Sequence, residues 1–220
     1  MKVLVSNLGS TSFKYKVFDM PSARVLARGG MDRIGGEGSV HRYQIGDADA
    51  IEQACSLPDH ARAIDEALAR LVGSGGVLQS IEDLAAVGFK AVHARSISGV
   101  VELDDDVVGR MEDFYPLAPA HNPAYVAAMR QFERVAPQAR RVGCFETAFH
   151  GTAPLRRQLY AVPYEWYEEY GVKRYGFHGA SHRYAAEKVI ELEARWCLER
   201  GRARERCELH TTARAKHRHF

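Results

Sequence analysis

The feature that most constrains this chain is a change of hydrophobic period near Pro58. Before it, apolar and polar residues alternate in short runs: Lys2-Val3-Leu4-Val5-Ser6-Asn7, Phe13-Lys14-Tyr15-Lys16-Val17-Phe18-Asp19, Arg24-Val25-Leu26-Ala27-Arg28, and Val40 to Ile45. A period of two broken by polar turns predicts four strands of an antiparallel meander, opening on a hairpin around Leu8-Gly9-Ser10-Thr11-Ser12. After Pro58, Ile64, Ala67, Leu68 and Leu71 fall at i, i+3, i+4 and i+7, one face of a helix that ends near Gly73. The pattern then predicts a buried strand at Ala85 to His93 and a helix at Asp104 to Phe114. Asn122 reads as the cap, and Pro123 as the first residue, of a helix running to Val135. A core strand at Arg141 to Glu146, a short helix at Tyr164 to Tyr170 and a helix capped by Ser181 running through Leu192 complete the series. A meander followed by alternating helices and strands predicts an α/β domain with a mixed sheet.

Composition narrows the class. With 220 residues, 46% hydrophobic and 26% charged, the chain is long enough for one sizeable core or two small ones, which excludes a collagen-like fibre and a disulfide mini-protein. Thirty basic residues against 28 acidic ones give a net charge of +2, without a global nucleic-acid footprint. No apolar run approaches the roughly 18 residues of a membrane span, and the start turns polar too early for a signal peptide, so the expected compartment is the cytoplasm. Cys55, Cys144, Cys197 and Cys207 contain no C-x-x-C pair; Cys55 and Cys144 read as reduced, buried thiols. The charge is uneven. Residues Ala194 to Phe220 hold eight basic and three acidic residues, a balance of +5, whereas Met1 to Glu193 has a balance of −3. The expected organisation is therefore a domain over 1–193 and a basic tail over 194–220, with no Val or Ile and no sustained apolar period. The tail reads as a non-native or out-of-frame end. A basic arm for nucleic acid, or a metal site built from Cys207, His210, His217 and His219, are its functional alternatives.

Three polar segments sit at the ends of predicted strands. Asn7-Leu8-Gly9-Ser10-Thr11-Ser12-Phe13-Lys14 offers backbone N–H groups, hydroxyls and an ammonium at a tight turn, as phosphate oxygens require; a solvated hairpin tip has the same composition. Glu146, in Phe145-Glu146-Thr147-Ala148-Phe149-His150, is a carboxylate emerging from an apolar strand. It suits a base, a metal ligand, a partner that orients an Arg, or a structural cap. Tyr175-Gly176-Phe177-His178-Gly179-Ala180-Ser181-His182 places two histidines just before a helix, where an imidazole can donate to a phosphoryl oxygen. The i, i+4 histidine pair could also bind a metal, but no third ligand lies nearby in sequence.

Together with Ala118-Pro119-Ala120-His121-Asn122-Pro123 and Tyr160-Ala161-Val162-Pro163-Tyr164-Glu165, these segments occur in the order and approximate spacing of the acetate kinase family. The Tyr175 to Tyr184 string is the most specific, and the resemblance runs from Met1 to about Leu192. It implies a ribonuclease H-like fold of the actin, sugar kinase and Hsp70 superfamily, of which this chain resembles roughly the first of two domains. It implies transfer of the ATP γ-phosphoryl to a short carboxylate with Mg²⁺ or Mn²⁺. It also implies a homodimer when full length, with neither nucleic acid nor membrane as partner. Carried over by motif, Asn7 resembles the metal-site residue, and Ser10, Ser12 and Lys14 the phosphate-proximal hairpin. His178 resembles the histidine that stabilises the transferring phosphoryl group, and Val92, His121 and Phe177 positions lining the acyl pocket.

Two positions depart from the family pattern. Where the family carries G-H-R-V-V-H-G-G, this chain has Gly88-Phe89-Lys90-Ala91-Val92-His93-Ala94-Arg95, so Lys90 replaces the carboxylate-binding arginine and loses its bidentate fork. Glu146 replaces the catalytic aspartate of F-D-T-A-F-H and is one methylene longer. The family's H-L-G-N-G segment, adenosine pocket, second catalytic arginine and metal-site glutamate are not found after Leu192. The sequence therefore reads as an incomplete, inactive acetate kinase. A kinase for propionate, butyrate or another short acid, and a non-catalytic binding or dimerisation module, are the alternatives.

Overall fold

The computed structural model describes residues 1–199 apart from 95, 117 and 120. The charged segment beyond 199, with Cys207 and His210, His217 and His219, lies outside the described residues. The chain divides into two compact units, Met1–Phe145 and a second from Glu146 onward.

The first unit is built on an eight-stranded mixed sheet of order β5-β4-β3-β2-β1-β6-β8-β7. Strands β1 (Lys2–Leu8), β2 (Ser12–Asp19), β3 (Arg24–Asp32), β4 (Val40–Ile45) and β5 (Ile51–Ala54) form the antiparallel meander expected from the alternation, with β5 added. β6 (Leu84–Ala91) then pairs parallel to β1 and β8 (Arg140–Phe145) parallel to β6, while β7 (Gly99–Glu102) closes the far edge antiparallel to β8. Parallel neighbours need crossovers. The β5–β6 connection carries α1 (His60–Leu71), and the β6–β8 connection carries β7, α2 (Asp105–Asp113) and α3 (Asn122–Val135). Asp59 and Asp104 cap α1 and α2 by accepting from the N–H groups of Arg62 and Val107.

The first unit's helices cover one of the sheet's two faces. α1 lies against β2 and β3, α3 against β6, and α3 also against α1 and α2, so the helices form one layer over one face of the sheet. Leu4, Leu8, Phe13, Tyr15, Val17, Val87, Phe89 and Ala91 point into that interface, where Phe89 meets Phe132 edge-on. Residues one position out of phase, Val5, Asn7, Lys14 and Lys16, are exposed on the opposite face. Two expectations are corrected here. Cys144 is exposed, because its place in the alternation puts it on the uncovered face, and Cys55 is only partly buried. Asn122 does not cap α3 as expected: it is the first helical residue, and its buried side-chain amide donates to the carbonyls of His93 and Met111 at 2.9 Å each.

The second unit contains α4 (Leu155–Gln158), α5 (Glu165–Tyr170) and α6 (Gly179–Glu199), with a short 3₁₀ turn at Ala148–His150 that packs on α6. α6 begins two residues before the expected cap at Ser181 and continues to Glu199.

Candidate active site

In the first unit, three of the expected site residues stand in one row. Asn7 pairs with Lys14 across β1 and β2, and because Ser6 pairs with Phe89, Asn7 and Lys90 follow side by side on β1 and β6. All three share the face opposite α1 and α3, on adjacent strands about 5 Å apart. The row continues through Gly30 of β3 to Arg42 of β4. There it borders a groove of about 770 Å³ whose walls include Asn7, Lys14, Lys16, Arg28 and Arg42. An amide between two ammonium groups is a surface suited to anionic oxygen.

The hairpin tip differs from the sequence expectation in one respect. The Gly9 N–H donates to the Ser12 carbonyl at 2.8 Å, so it closes the turn itself and is not offered to a ligand. A Cβ on Gly9 would lie 2.6 Å from Ser12 Oγ, so a side chain there would make that hydroxyl turn away. The Gly9 carbonyl meets Nε2 of His60, the first residue of α1, at 2.9 Å. His60 thus ties the hairpin to the helical layer, and no sequence signal marks it. Ser10 is exposed at the tip, and Ser12, half-buried, starts β2.

Beyond β6 the chain turns inward. Val92 is buried in the hydrophobic core, and His93 is buried with its ring edge-on to Phe114. Burial holds the His93 imidazole below the usual histidine range, so it is neutral near pH 7. Through Asn122 the carbonyl of His93 is bonded to the start of α3, next to His121, an exposed ring stacked on Tyr125. The side chain misread as a cap is therefore the tie between the β6 loop and His121.

The second unit gathers the remaining candidates. The Gly179 N–H donates to the Glu146 carbonyl at 2.8 Å, which sets the peptide following His178 against Glu146. A Cβ at Gly179 would fall 2.1 Å from that carbonyl oxygen. His178 is exposed and has φ +61°, a left-handed conformation costing a non-glycine residue about 1–3 kcal/mol. Gly176 is left-handed as well, and Phe177 between them is 44% exposed. Sequence reasoning missed His150, whose Nε2 lies 3.0 Å from Nδ1 of His182.

Among the described residues no group of three or more His, Cys, Asp or Glu side chains is placed to hold a metal ion. Asn7 offers a single amide oxygen. That suits Mg²⁺, which keeps several waters and binds largely through substrate phosphates, better than it suits a caged metal.

Comparison with known proteins adds the family. The acetokinase family model matches residues 2–198. An acetate kinase of Carboxydothermus hydrogenoformans is 41% identical over 194 residues, 87% of this chain and 49% of its own length, and one of Bacillus cytotoxicus is 38% identical over 195 residues, 88% of this chain and 49% of its own. Among solved structures, acetate kinase from Porphyromonas gingivalis superposes with a TM-score of 0.77 at 39% identity, over 87% of this chain and 48% of that one. A propionate kinase from Francisella tularensis gives 0.77 at 26% identity, with the same two coverages. The chain thus spans about half the length of the curated relatives it matches.

Proposed function

Because the chain belongs to the acetokinase family, we propose that it is the half of a short-chain carboxylate kinase that receives the carboxylate and the transferring phosphate. The reaction is ATP + acetate = ADP + acetyl phosphate. An oxygen of the carboxylate forms a bond to the γ-phosphorus, and the bond from that phosphorus to the bridging oxygen of ADP breaks. The observation that carries this reading is the row Lys90, Asn7, Lys14, which puts two cations and an amide on one face of three adjacent strands.

In this reading Lys90 pairs with the substrate carboxylate as a point charge. Lys14, with the hydroxyls of Ser10 and Ser12, holds the phosphates, and Asn7 gives one ligand to a Mg²⁺ or Mn²⁺ that neutralises phosphate charge. His178 donates to the equatorial oxygens of the phosphoryl group in flight, and Glu146 orients the reacting groups. His121, Val92 and Phe177 bound the acyl group; for Val92, at 6% exposure, this requires contact through the small part of its surface that is open. Acetate is the first substrate. The likeness to a propionate kinase supports a second reading, a longer acid, since one methylene in an apolar pocket is worth only about 1–3 kcal/mol. Function in the cytoplasm and as a homodimer belongs to the same proposal.

Trapping acyl phosphate with hydroxylamine, across acetate, propionate and butyrate, tests the reading. These 220 residues alone are expected to turn over near background. Joined to the second half of the Carboxydothermus relative, they are expected to phosphorylate a short acid. There Lys90→Ala should raise the KM for the acid about ten- to a hundredfold, and Lys90→Arg should lower it. His178→Ala should reduce kcat about 10²- to 10³-fold. A ligand-bound structure with Asn7, Lys90, Glu146 and His178 out of reach of one another's ligands would refute the assignment.

A further inference from the structure

The second unit contains a device that the phosphoryl-transfer roles do not use. Two short turns, Glu146 to His150 and Gly176 to His182, are far apart in sequence and meet at three places. The Gly179 N–H donates to the Glu146 carbonyl at 2.8 Å. Gly176 lies against the His150 ring, so that a Cβ there would sit 2.5 Å from His150 Cβ. His150 Nε2 and His182 Nδ1 are 3.0 Å apart, with the rings 5.2 Å between centroids and nearly perpendicular at 76°. This last contact joins the turns through their side chains, and it requires one ring to donate and the other to accept.

We propose that His150 and His182 are positioning residues whose shared proton latches the two turns together and so fixes Glu146 relative to His178. The inference rests on the reading in which Glu146 and His178 act on one phosphoryl group. The geometry gives the latch something to hold. His178 is strained at φ +61° between the left-handed Gly176 and the first turn of α6, and its carbonyl accepts from the N–H of His182 at 3.0 Å. A strained conformation persists only where its surroundings over-determine it. His182 holds this turn from within α6, and His150 holds His182 from the 3₁₀ turn that follows Glu146. Phe149, edge-on to the His150 ring at 5.0 Å, fixes the ring's plane. Two glycines complete the arrangement, because any side chain at 176 or 179 would push the turns apart.

The test uses the 220-residue chain with nitrogen-15 in its histidines. A scalar coupling between His150 Nε2 and His182 Nδ1, carried across the hydrogen bond, is expected at neutral pH. Its absence would overturn the proposal without any variant. His150→Phe and His182→Leu should accelerate hydrogen exchange at the Gly179 amide about three- to tenfold, the value of one hydrogen bond, while amides of β1 and β6 keep their rates. His150→Gln and His182→Asn, which return a polar atom near Nε2 and Nδ1, should restore protection. A role in packing alone predicts no such rescue, and wild-type exchange at Gly179 in His182→Leu would also overturn the latch. The kinase reading fails separately. An intact latch in a joined chain that makes no acyl phosphate removes that reading, and acyl phosphate without the nitrogen coupling removes the latch alone.

Discussion

The two units divide the protein's apolar side chains unequally. Every buried large hydrophobic residue among the described ones lies at or before Phe145, beneath or within the helical layer. The exposed large ones lie mostly after it, among them Tyr160, Tyr164, Trp166, Tyr170, Tyr184 and Trp196. The first unit thus has its own core. The second is held by turns, glycine contacts and surface ion pairs such as Arg183 with Glu187, each worth little in water. A segment with so much uncovered aromatic surface has the composition of an interface, while polar ties such as the Gly179 N–H to the Glu146 carbonyl set the backbone around the candidate groups. The buried core is therefore concentrated in the first unit, whereas candidate site residues occur in both.

The largest effect expected from this contrast is in the core. Phe132→Ala removes a ring 1% exposed and packed on Phe89, and should cost about 3–5 kcal/mol in denaturant unfolding. A loss below about 1 kcal/mol would mean that the first unit has no core of its own. Next comes Asn122→Ala, which strips a buried donor from the carbonyls of His93 and Met111 and should cost about 1–3 kcal/mol. If Asn122 were only a cap, Asn122→Ser would recover that loss; as a tertiary tie it should not.

A smaller effect concerns pH. Burial pushes the His41 imidazole, bonded to the Tyr15 hydroxyl, down to about 4. A histidine whose folded pKa is depressed binds its proton more readily when unfolded. Its contribution is therefore complete above the unfolded value of roughly 6.5 and is lost as pH falls toward about 4. Unfolding free energy should decline over that window, and His41→Phe, which also costs the Tyr15 bond at neutral pH, should flatten the slope. An unchanged slope would place the titrating group elsewhere. Smallest of all should be Trp166→Ser in the second unit, 49% exposed at the outset, with a change within about 0.5 kcal/mol. Its value lies in the pairing with Phe132: a large loss at Trp166 would erase the distinction between the units.

Local pattern carried far in this chain. The period of Ile64, Ala67, Leu68 and Leu71 gives α1, and the alternating runs give β1 to β4. β5 and β7 were not legible, because each is a four-residue edge strand defined by its partner, β4 or β8, and not by a pattern of its own. Cys144 illustrates the same limit. The run from Arg141 reads as core, but a strand has two faces, and which one the helices cover is settled only when α3 packs on β6.

At the candidate site the division is similar. The motifs around Asn7, Lys90, Glu146 and His178 are contiguous strings, so the family resemblance could be read from residue type and order. That Asn7, Lys14 and Lys90 form a row depends on strand order and register, which bring together residues up to 83 positions apart. The tie of Asn122 to His93 and Met111, the grip of His60 on Gly9 and the pairing of His150 with His182 were decided by tertiary structure alone. The physical reason is that a periodic pattern records whether a side chain turns toward core or water. A hydrogen bond between distant segments depends on where two backbones are placed by everything packed around them, and no local string of residues encodes that.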